Sequence, residues 1–455
     1  MNMDTINPAT GETIQSYPLM QDSEIETILR QAHDAHTHWR TTPFAERAKL
    51  MNNAAAVLRK NSDRYAARMT EEMGKPIKQS HAEIEKCAWA CEYFAENAEQ
   101  FLAQQEVETD ASRSFVTFQP LGVVFAIMPW NYPLWQVFRF IAPNIMAGNA
   151  GVLKHSPNVT GCALDIEAIM HEAGFPKALF RAVIADTDQA AQIIASDHVQ
   201  AVTLTGSVGA GRAVASEAGK ALKKTVLELG GSDAYVVLDD ADVEAAAKSC
   251  VQGRLTNSGQ SCIAAKRFIV VEAVREQFEK LALAEIEAAK MGSPTDASTT
   301  IGPMARSDLR EQLHAQVEKS VAAGARCLTG GKLPDGPGFF YPPTFLVDVR
   351  AGMPAYSEEL FGPVATLIPA ADEADAIKIA NGTTFGLGSA VFTRDIDRGI
   401  RLATSEIHAG ACFVNDFVRS DPRLPFGGIK NSGYGRELSM FGIHEFVNIK
   451  AVSVK

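Results

Sequence analysis

Val202-Thr203-Leu204-Thr205-Gly206-Ser207-Val208-Gly209-Ala210-Gly211 runs from an apolar stretch through a glycine turn into a helical segment. A strand, a glycine turn and a helix form half of a β-α-β unit, and the N–H groups at the helix start can receive a pyrophosphate. The spacing differs from the ordinary dinucleotide fingerprint, so the turn alone names no ligand. Its surroundings decide the fold. Upstream, Val123-Val124-Phe125-Ala126-Ile127, Gly151-Val152-Leu153-Lys154 and Phe180-Arg181-Ala182-Val183-Ile184 alternate with helical segments. Just downstream, Thr225-Val226-Leu227 ends at Glu228 and is broken by Gly230-Gly231. A second α/β unit then starts: Tyr235-Val236-Val237-Leu238, a helix from Val243 to Arg254, and Phe268-Ile269-Val270-Val271. Such alternation predicts open, largely parallel sheets with helices on both faces, and ligands bind beyond the carboxyl ends of their strands.

The flanking segments complete the outline. Asp22 or Ser23 can cap a helix carrying Ile25, Ile28, Leu29 and Ala32, and Asn61-Ser62 and Lys75-Pro76 punctuate two more, so the first hundred residues are largely helical. A long amphipathic helix from about His81 to Ala103 places Ile84, Cys87, Ala88, Cys91 and Phe94 on one core-facing stripe. Ser114-Phe115-Val116-Thr117-Phe118 alternates as a strand. No repeat or low-complexity segment appears.

At 455 residues the chain calls for two or three domains. A net charge of −11 argues against a nucleic-acid partner. No apolar run approaches the ~20 residues of a membrane span, and the first residues lack the pattern of a signal peptide. Cys87, Cys91, Cys162, Cys250, Cys262, Cys327 and Cys412 are an odd, scattered set without a C-x-x-C pair, which predicts reduced thiols and neither disulfides nor zinc. We therefore expect a cytoplasmic protein. His33, His36 and His38 cluster on a helix but lack an H-E-x-x-H pattern, so we expect a solvated face and no metal.

Several features sit at strand ends or in loops. Met128-Pro129-Trp130-Asn131-Tyr132-Pro133 is a rigid turn from which Asn131 either offers an amide N–H to a developing negative charge or only shapes the turn. Lys154 either binds ribose or phosphate or snorkels to water. Asn257-Ser258-Gly259-Gln260-Ser261-Cys262 sets a cysteine among small turn formers, where it is a candidate nucleophile needing an activating donor, cation or base. Glu228 is the nearest plausible base. Glu358-Glu359-Leu360-Phe361-Gly362-Pro363-Val364 reads as a loop by itself, and the turns Pro425-Phe426-Gly427-Gly428 and Ser432-Gly433-Tyr434-Gly435-Arg436-Glu437 are expected to cross near the site.

Pro129-Trp130-Asn131, Gly206-Ser207, Glu228-Leu229-Gly230-Gly231, Gly259-Gln260-Ser261-Cys262 and Glu359-Leu360-Phe361-Gly362-Pro363, in this order, resemble the aldehyde dehydrogenase superfamily over essentially the whole chain. Within it the chain is most similar to short bacterial succinate-semialdehyde dehydrogenases, through Met128 to Trp135, Lys154-His155 and Asp421 to Glu437. The resemblance implies an NAD(P)-binding domain over 1–111 and 121–230, a catalytic domain over 231–429, and an oligomerisation flap over 112–120 joined by 430–455, whose strand Val447 to Val454 helps to pair subunits. A homo-oligomer, dimer or tetramer, follows.

The same resemblance implies that Cys262 attacks an aldehyde as thiolate, that Asn131 and the Cys262 N–H hold the oxyanion, and that Glu228 activates the water that hydrolyses the thioester. It implies that Lys154 and Glu359 hold ribose hydroxyls, that Ser207 beside Gly206 holds the pyrophosphate, that Phe361 packs near the nicotinamide, and that Trp130, Ser156, Pro157 and Leu229 complete the cofactor site. NAD-selective members carry a glutamate three residues after the lysine. Here Pro157 stands there, so either NADP or NAD is admissible. Trp135, Arg139 and Ser420 resemble positions that clamp the distal carboxylate of a semialdehyde. The arginine that the family places six residues before the nucleophile is Thr256 here, which leaves glutarate semialdehyde or uncharged aldehydes open. A coenzyme A-dependent acyltransferase and a non-catalytic protein of this fold are the rival readings, and Glu228 speaks for water as acceptor.

Overall fold

The computed structural model describes residues 2–455. A hairpin of β1 (Asn2–Ile6) and β2 (Thr13–Pro18) precedes four helices: α1 (Asp22–Trp39), α2 (Phe44–Lys60), α3 (Ser62–Met73) and α4 (Ile77–Phe101). The hairpin went unpredicted because its strands are short, polar and mostly exposed, with no apolar alternation to read. The helix breaks at Asn61 and Lys75-Pro76 fall where expected, and α4 buries Ile84, Cys87, Ala88, Cys91 and Phe94. His36 corrects the expectation of a solvated histidine face. It is buried, with Nδ1 3.0 Å from the Gly148 carbonyl, and burial lowers its pKa.

Next come β3 (Gln105–Glu106), β4 (Arg113–Pro120), β5 (Val123–Met128), α5 (Trp135–Met146), β6 (Ala150–His155), α6 (Thr160–Glu172), β7 (Phe180–Ala182), α7 (Thr187–Ala195), β8 (Val199–Thr205), α8 (Val208–Lys220) and β9 (Lys224–Glu228). The strands β9-β8-β5-β6-β7 form a parallel sheet in that order. Every residue of α5 is buried, as expected of a helix packed between α4 and the strands β5 and β6.

Then follow β10 (Asp233–Val237), α9 (Val243–Leu255), β11 (Ala265–Val271), β12 (Arg326–Thr329), β13 (Thr344–Val347), β14 (Val364–Ala370), β15 (Gly388–Phe392) and β16 (Ala411–Val414). They form a second sheet, ordered β12-β13-β14-β11-β10-β15-β16 and parallel except for β12. Side chains alternate between two cores. Ala234, Val236, Ile269 and Val271 enter one, while Tyr235, Val237, Phe268 and Val270 enter the other.

Finally β17 (Gly433–Tyr434) returns to the first sheet, antiparallel to β9, and β18 (Val447–Val454) pairs antiparallel with β4 along its whole length, from Val447 opposite Pro120 to Val454 opposite Arg113. With β3 these make a separate three-stranded sheet. Among the described residues, no helix is long and apolar enough to cross a membrane.

Candidate active site

The loop after α9 holds an unusual backbone. Asn257, Ser258 and Gly259 are consecutive left-handed residues, with φ of 57°, 53° and 72°. For the two that are not glycine this conformation costs about 1–3 kcal/mol each, so neighbours must impose it. They do. The Asn257 N–H donates to Gln79 Oε1 (2.7 Å), its Nδ2 donates to the carbonyls of Asn131 (2.8 Å) and Gln260 (3.0 Å), and Ser258 Oγ accepts from the Gly302 N–H (2.9 Å). A Cβ on Gly259 would lie 2.3 Å from the Gly362 carbonyl oxygen, which excludes any larger residue. Buried Arg254 ties the Gly259, Leu360 and Gly362 carbonyls together, fastening the Glu359–Gly362 segment to this loop.

Cys262 follows, partly buried, at the meeting point of two hollows: it lines both a cleft of about 890 Å³ and a cavity of about 250 Å³. Burial pushes its thiol up to about 12, with Lys266 and then Arg139 pulling the other way. At neutral pH the resting group is therefore the thiol, and it is less open than the turn-forming sequence suggested. Lys266 Nζ donates to the carbonyls of Ser261 (2.8 Å) and Cys262 (2.6 Å) and pairs with Glu359 Oε1 (3.2 Å). Cys87, Cys91, Cys162 and Cys250 are buried, and burial raises each of them.

Asn131 stands beside this loop, held at both ends of its side chain. Its Oδ1 accepts from Gln136 Nε2 (3.0 Å), which fixes the amide so that Nδ2 faces the cysteine loop and donates to the Gln260 carbonyl (3.1 Å). An amide nitrogen carries two hydrogens, so a second donor remains. The Cys262 N–H has no acceptor among the described residues.

Glu228 ends β9, opposite Gly433 of β17, and lines neither hollow. It is 2% exposed, and both carboxyl oxygens lack hydrogen-bond partners among the described residues. A Cβ on Gly427 would lie 2.6 Å from Oε1, so the carboxyl is packed against that glycine. Burial raises its pKa well above the usual carboxylate range. The charge of Glu437 adds to the effect, while Arg139 opposes it. Glu437, ion-paired to Arg139, is also raised by burial. The sequence reading anticipated carboxylate and sulfur in one pocket; in this structure the Glu228 carboxyl lies against Gly427 and lines neither hollow.

The larger cleft opens at the carboxyl ends of β5, β6, β8 and β9. All nine residues named for the cofactor line it: Trp130, Lys154, Ser156, Pro157, Gly206, Ser207, Leu229, Glu359 and Phe361. Ser207 caps α8, its Oγ accepting from the Ala210 N–H (3.2 Å), with the helix N-terminus facing the cleft. Lys154 makes no ion pair among the described residues, and burial lowers its pKa, as for a cation waiting for an anionic or hydroxyl partner. Glu359 Oε1 accepts from the Gly231 N–H (3.0 Å) and pairs with Lys266, leaving Oε2 free. Phe361 meets Trp130 edge-on at 5.7 Å. A pyrophosphate, two riboses and a planar ring would each find a partner here.

The smaller cavity is lined by Trp135, Arg139 and Ser420 on the far side of Cys262. Arg139 is fully buried: Nε is paired with Glu437, Nη2 donates to Thr205 Oγ1 (3.4 Å), and its plane lies 4.5 Å from the Phe426 ring centroid. Among the described residues, Nη1 is the one guanidinium nitrogen without a partner. Thr256 lines the cavity too, but its hydroxyl donates back to the Gln252 carbonyl (2.8 Å).

Several residues of the site escaped the sequence reading. Lys266 is a cation in the buried run Ala265–Val271, where a charge has to be partnered, and that was a usable signal. Gln136 and Asn257 hold Asn131, and nothing in their spacing shows it. Glu437 was placed near the site, without a role.

A family model described as the aldehyde dehydrogenase family matches residues 1–452. The chain is 48% identical over 452 residues to a probable succinate-semialdehyde dehydrogenase [NADP(+)] of Synechocystis sp., covering 99% of each chain. It is 47% identical over 455 residues to succinate-semialdehyde dehydrogenase [NADP(+)] 1 of Mycobacterium tuberculosis, again covering 99% of each. Among solved structures, succinic semialdehyde dehydrogenase from Streptococcus pyogenes in complex with NADP+ superposes with a TM-score of 0.97 at 37% identity, covering 99% of both chains.

Proposed function

The chain belongs to the aldehyde dehydrogenase family, and we propose that it oxidises succinate semialdehyde to succinate with NADP as the preferred electron acceptor. The observation that carries this reading is the position of Cys262, the one thiol that lines both hollows. The larger can hold a dinucleotide and the smaller a short aldehyde.

On this reading the Cys262 sulfur, once deprotonated, bonds to the aldehyde carbon, and the oxygen takes the negative charge. The second Nδ2 hydrogen of Asn131 and the Cys262 N–H are the free donors beside it. A dinucleotide bound by Lys154, Ser207 and Glu359 supplies the hydride acceptor. Glu228 swings from its seat against Gly427, takes a proton from water, and the hydroxide opens the Cys262 thioester to release the acid. The burial that raises its pKa makes the ionised carboxylate a stronger base toward water. Aldehyde, water and oxidised cofactor thus become carboxylate, reduced cofactor and two protons. For the cofactor, Ser156 and Lys154 would hold a 2′-phosphate, and Pro157 beside them carries no charge that would repel it. Arg139 Nη1 and Ser420 face the substrate's distal carboxylate.

We extend the proposal to a homo-oligomer paired through the three-stranded sheet, where Val107, Ile449 and Val454 are exposed apolar side chains, and to a cytoplasmic setting suited to seven unpaired cysteines. A panel of succinate, glutarate and uncharged aldehydes, assayed with NADP and NAD and with and without coenzyme A, tests the reading. Cofactor reduction that is fastest with succinate semialdehyde and NADP, and independent of coenzyme A, is the expected result. A requirement for coenzyme A would move the protein to the acyltransferases.

A further inference from the structure

Lys86 lies on α4, a segment remote in sequence from every motif named above, yet it lines the small cavity beside Cys262. It is a cation without a counter-ion. No carboxylate comes within ion-pair distance of it among the described residues, and those around it are engaged elsewhere. Glu83, one turn earlier, accepts the Leu134 and Trp135 N–H groups through Oε1 (2.9 Å each) and pairs with Lys75 through Oε2. Asp421 is taken by Arg423 (2.7 Å) and Asp416 by Arg419 (2.7 Å).

What Lys86 does touch is Ser420. Its Nζ donates to Ser420 Oγ (2.8 Å) and sits 4.4 Å from the Trp135 ring centroid. Trp135 Nε1 donates to the same oxygen (3.1 Å). A hydroxyl oxygen has two acceptor positions, and both are filled, so the Ser420 proton is left to donate. Two of the three ammonium hydrogens of Lys86 are likewise uncommitted. The pocket therefore presents unspent donors from Lys86, Ser420 and Arg139 Nη1. Burial and then the charge of Arg139 bring the Lys86 pKa down to about 8, with Glu83 and Asp421 among the charges that oppose the shift.

We propose that Lys86 is the residue that makes this cavity selective for aldehydes ending in a carboxylate, binding that carboxylate together with the Ser420 hydroxyl and Arg139. The inference rests on the proposed activity for its substrate and deepens it. Aliphatic aldehydes of equal length without the charge gain nothing from Lys86.

The test uses the NADP-saturated enzyme with Lys86→Met and Lys86→Arg. Two quantities are compared: the ratio of kcat/KM for succinate semialdehyde over butanal, and the inhibition constant of succinate against butanal oxidation. Lys86→Met is expected to lower the ratio at least tenfold through KM, to weaken succinate inhibition by a similar factor, and to leave butanal turnover within about twofold, which also reports an intact fold; Lys86→Arg recovers most of both. An unchanged ratio and inhibition constant, or equal loss on both aldehydes, overturns the proposal. A wild type that oxidises succinate semialdehyde poorly, yet is inhibited by succinate in a Lys86-dependent way, refutes the proposed activity and leaves the anion site standing. A wild type indifferent to both compounds overturns the two together.

Discussion

The two hollows that meet at Cys262 are built in opposite ways. One wall of the larger is made by the carboxyl ends of the neighbouring parallel strands β5, β6, β8 and β9, so those contacts come from short contiguous motifs at fixed places in a repeating pattern, and the helix Ser307–Ala322 and the segment over 357–361 face them. The smaller is assembled from α4, α5, the loop ending at Cys262, and the segment Phe417 to Phe426, four pieces with no shared periodicity. One is a property of the fold, and the other is a property of this chain. Chemistry common to a family should therefore map to the cleft and its rim, and substrate choice to the cavity.

The most severe break of that division is at the shared residue. Cys262→Ala should abolish turnover, by a factor of about 10⁴ or more, because the covalent route is lost. NADP binding, measured by fluorescence titration, should change by less than about twofold. Appreciable turnover would remove Cys262 as nucleophile. The unmutated thiol gives a companion measurement. With its pKa pushed up to about 12 by burial, the thiolate fraction at neutral pH is small and grows with pH, so the rate of inactivation by iodoacetamide should rise about tenfold per unit between pH 7 and 9. A plateau below pH 8 would show a thiol activated at rest.

Asn131 sharpens the comparison because it lines only the cleft, yet its free amide hydrogen is assigned to the substrate oxygen. Asn131→Ala should lower kcat about 10²- to 10³-fold, the usual cost of one oxyanion donor, with little change in KM for either substrate. A loss carried by the KM for NADP would instead make it a cofactor residue.

The unequal construction also explains which parts were legible in the sequence. The two parallel sheets, the helix breaks at Asn61 and Lys75-Pro76, and the strand-end positions of Lys154 and Gly206-Ser207 could be read because strands buried on both faces are continuous apolar runs, and their ends are where ligands bind. The other cleft residues came only with the family resemblance. The hairpin Asn2–Pro18 could not, since exposed polar strands leave no pattern. Nor could the direction of Glu228. Its position at the end of an apolar run was clear, but its environment is set by Gly427 and by β17, some 200 residues further on (433 − 228 = 205). Lys86 was hidden most completely, being one polar residue on a helix whose neighbours Cys87 and Ala88 are core.

Arg139 tests the smaller hollow from within. Arg139→Ala should raise the KM for succinate semialdehyde far more than that for butanal, about tenfold against twofold, without altering the KM for NADP. It also strands Glu437 in a buried site, and removing one partner of such a pair costs about 3–5 kcal/mol, so a lower melting temperature should accompany the kinetic change. Equal effects on both aldehydes would assign Arg139 to holding Glu437 alone.

The smallest expected effect isolates the outer end of the larger hollow. Pro157 lines the cleft next to Ser156, where a carboxylate would face a 2′-phosphate, and the position carries no charge. Pro157→Glu restores the charge that NAD-selective relatives carry. It should lower kcat/KM for NADP about tenfold, or about 1.4 kcal/mol, by placing like charges together. The same side chain can accept from a 2′-hydroxyl, so kcat/KM for NAD should hold or rise. The KM for succinate semialdehyde should not move, because Pro157 is no part of the cavity wall. A fall for NAD as large as that for NADP would mean that the proline acts by shaping the turn into α6 and not by leaving the phosphate unopposed.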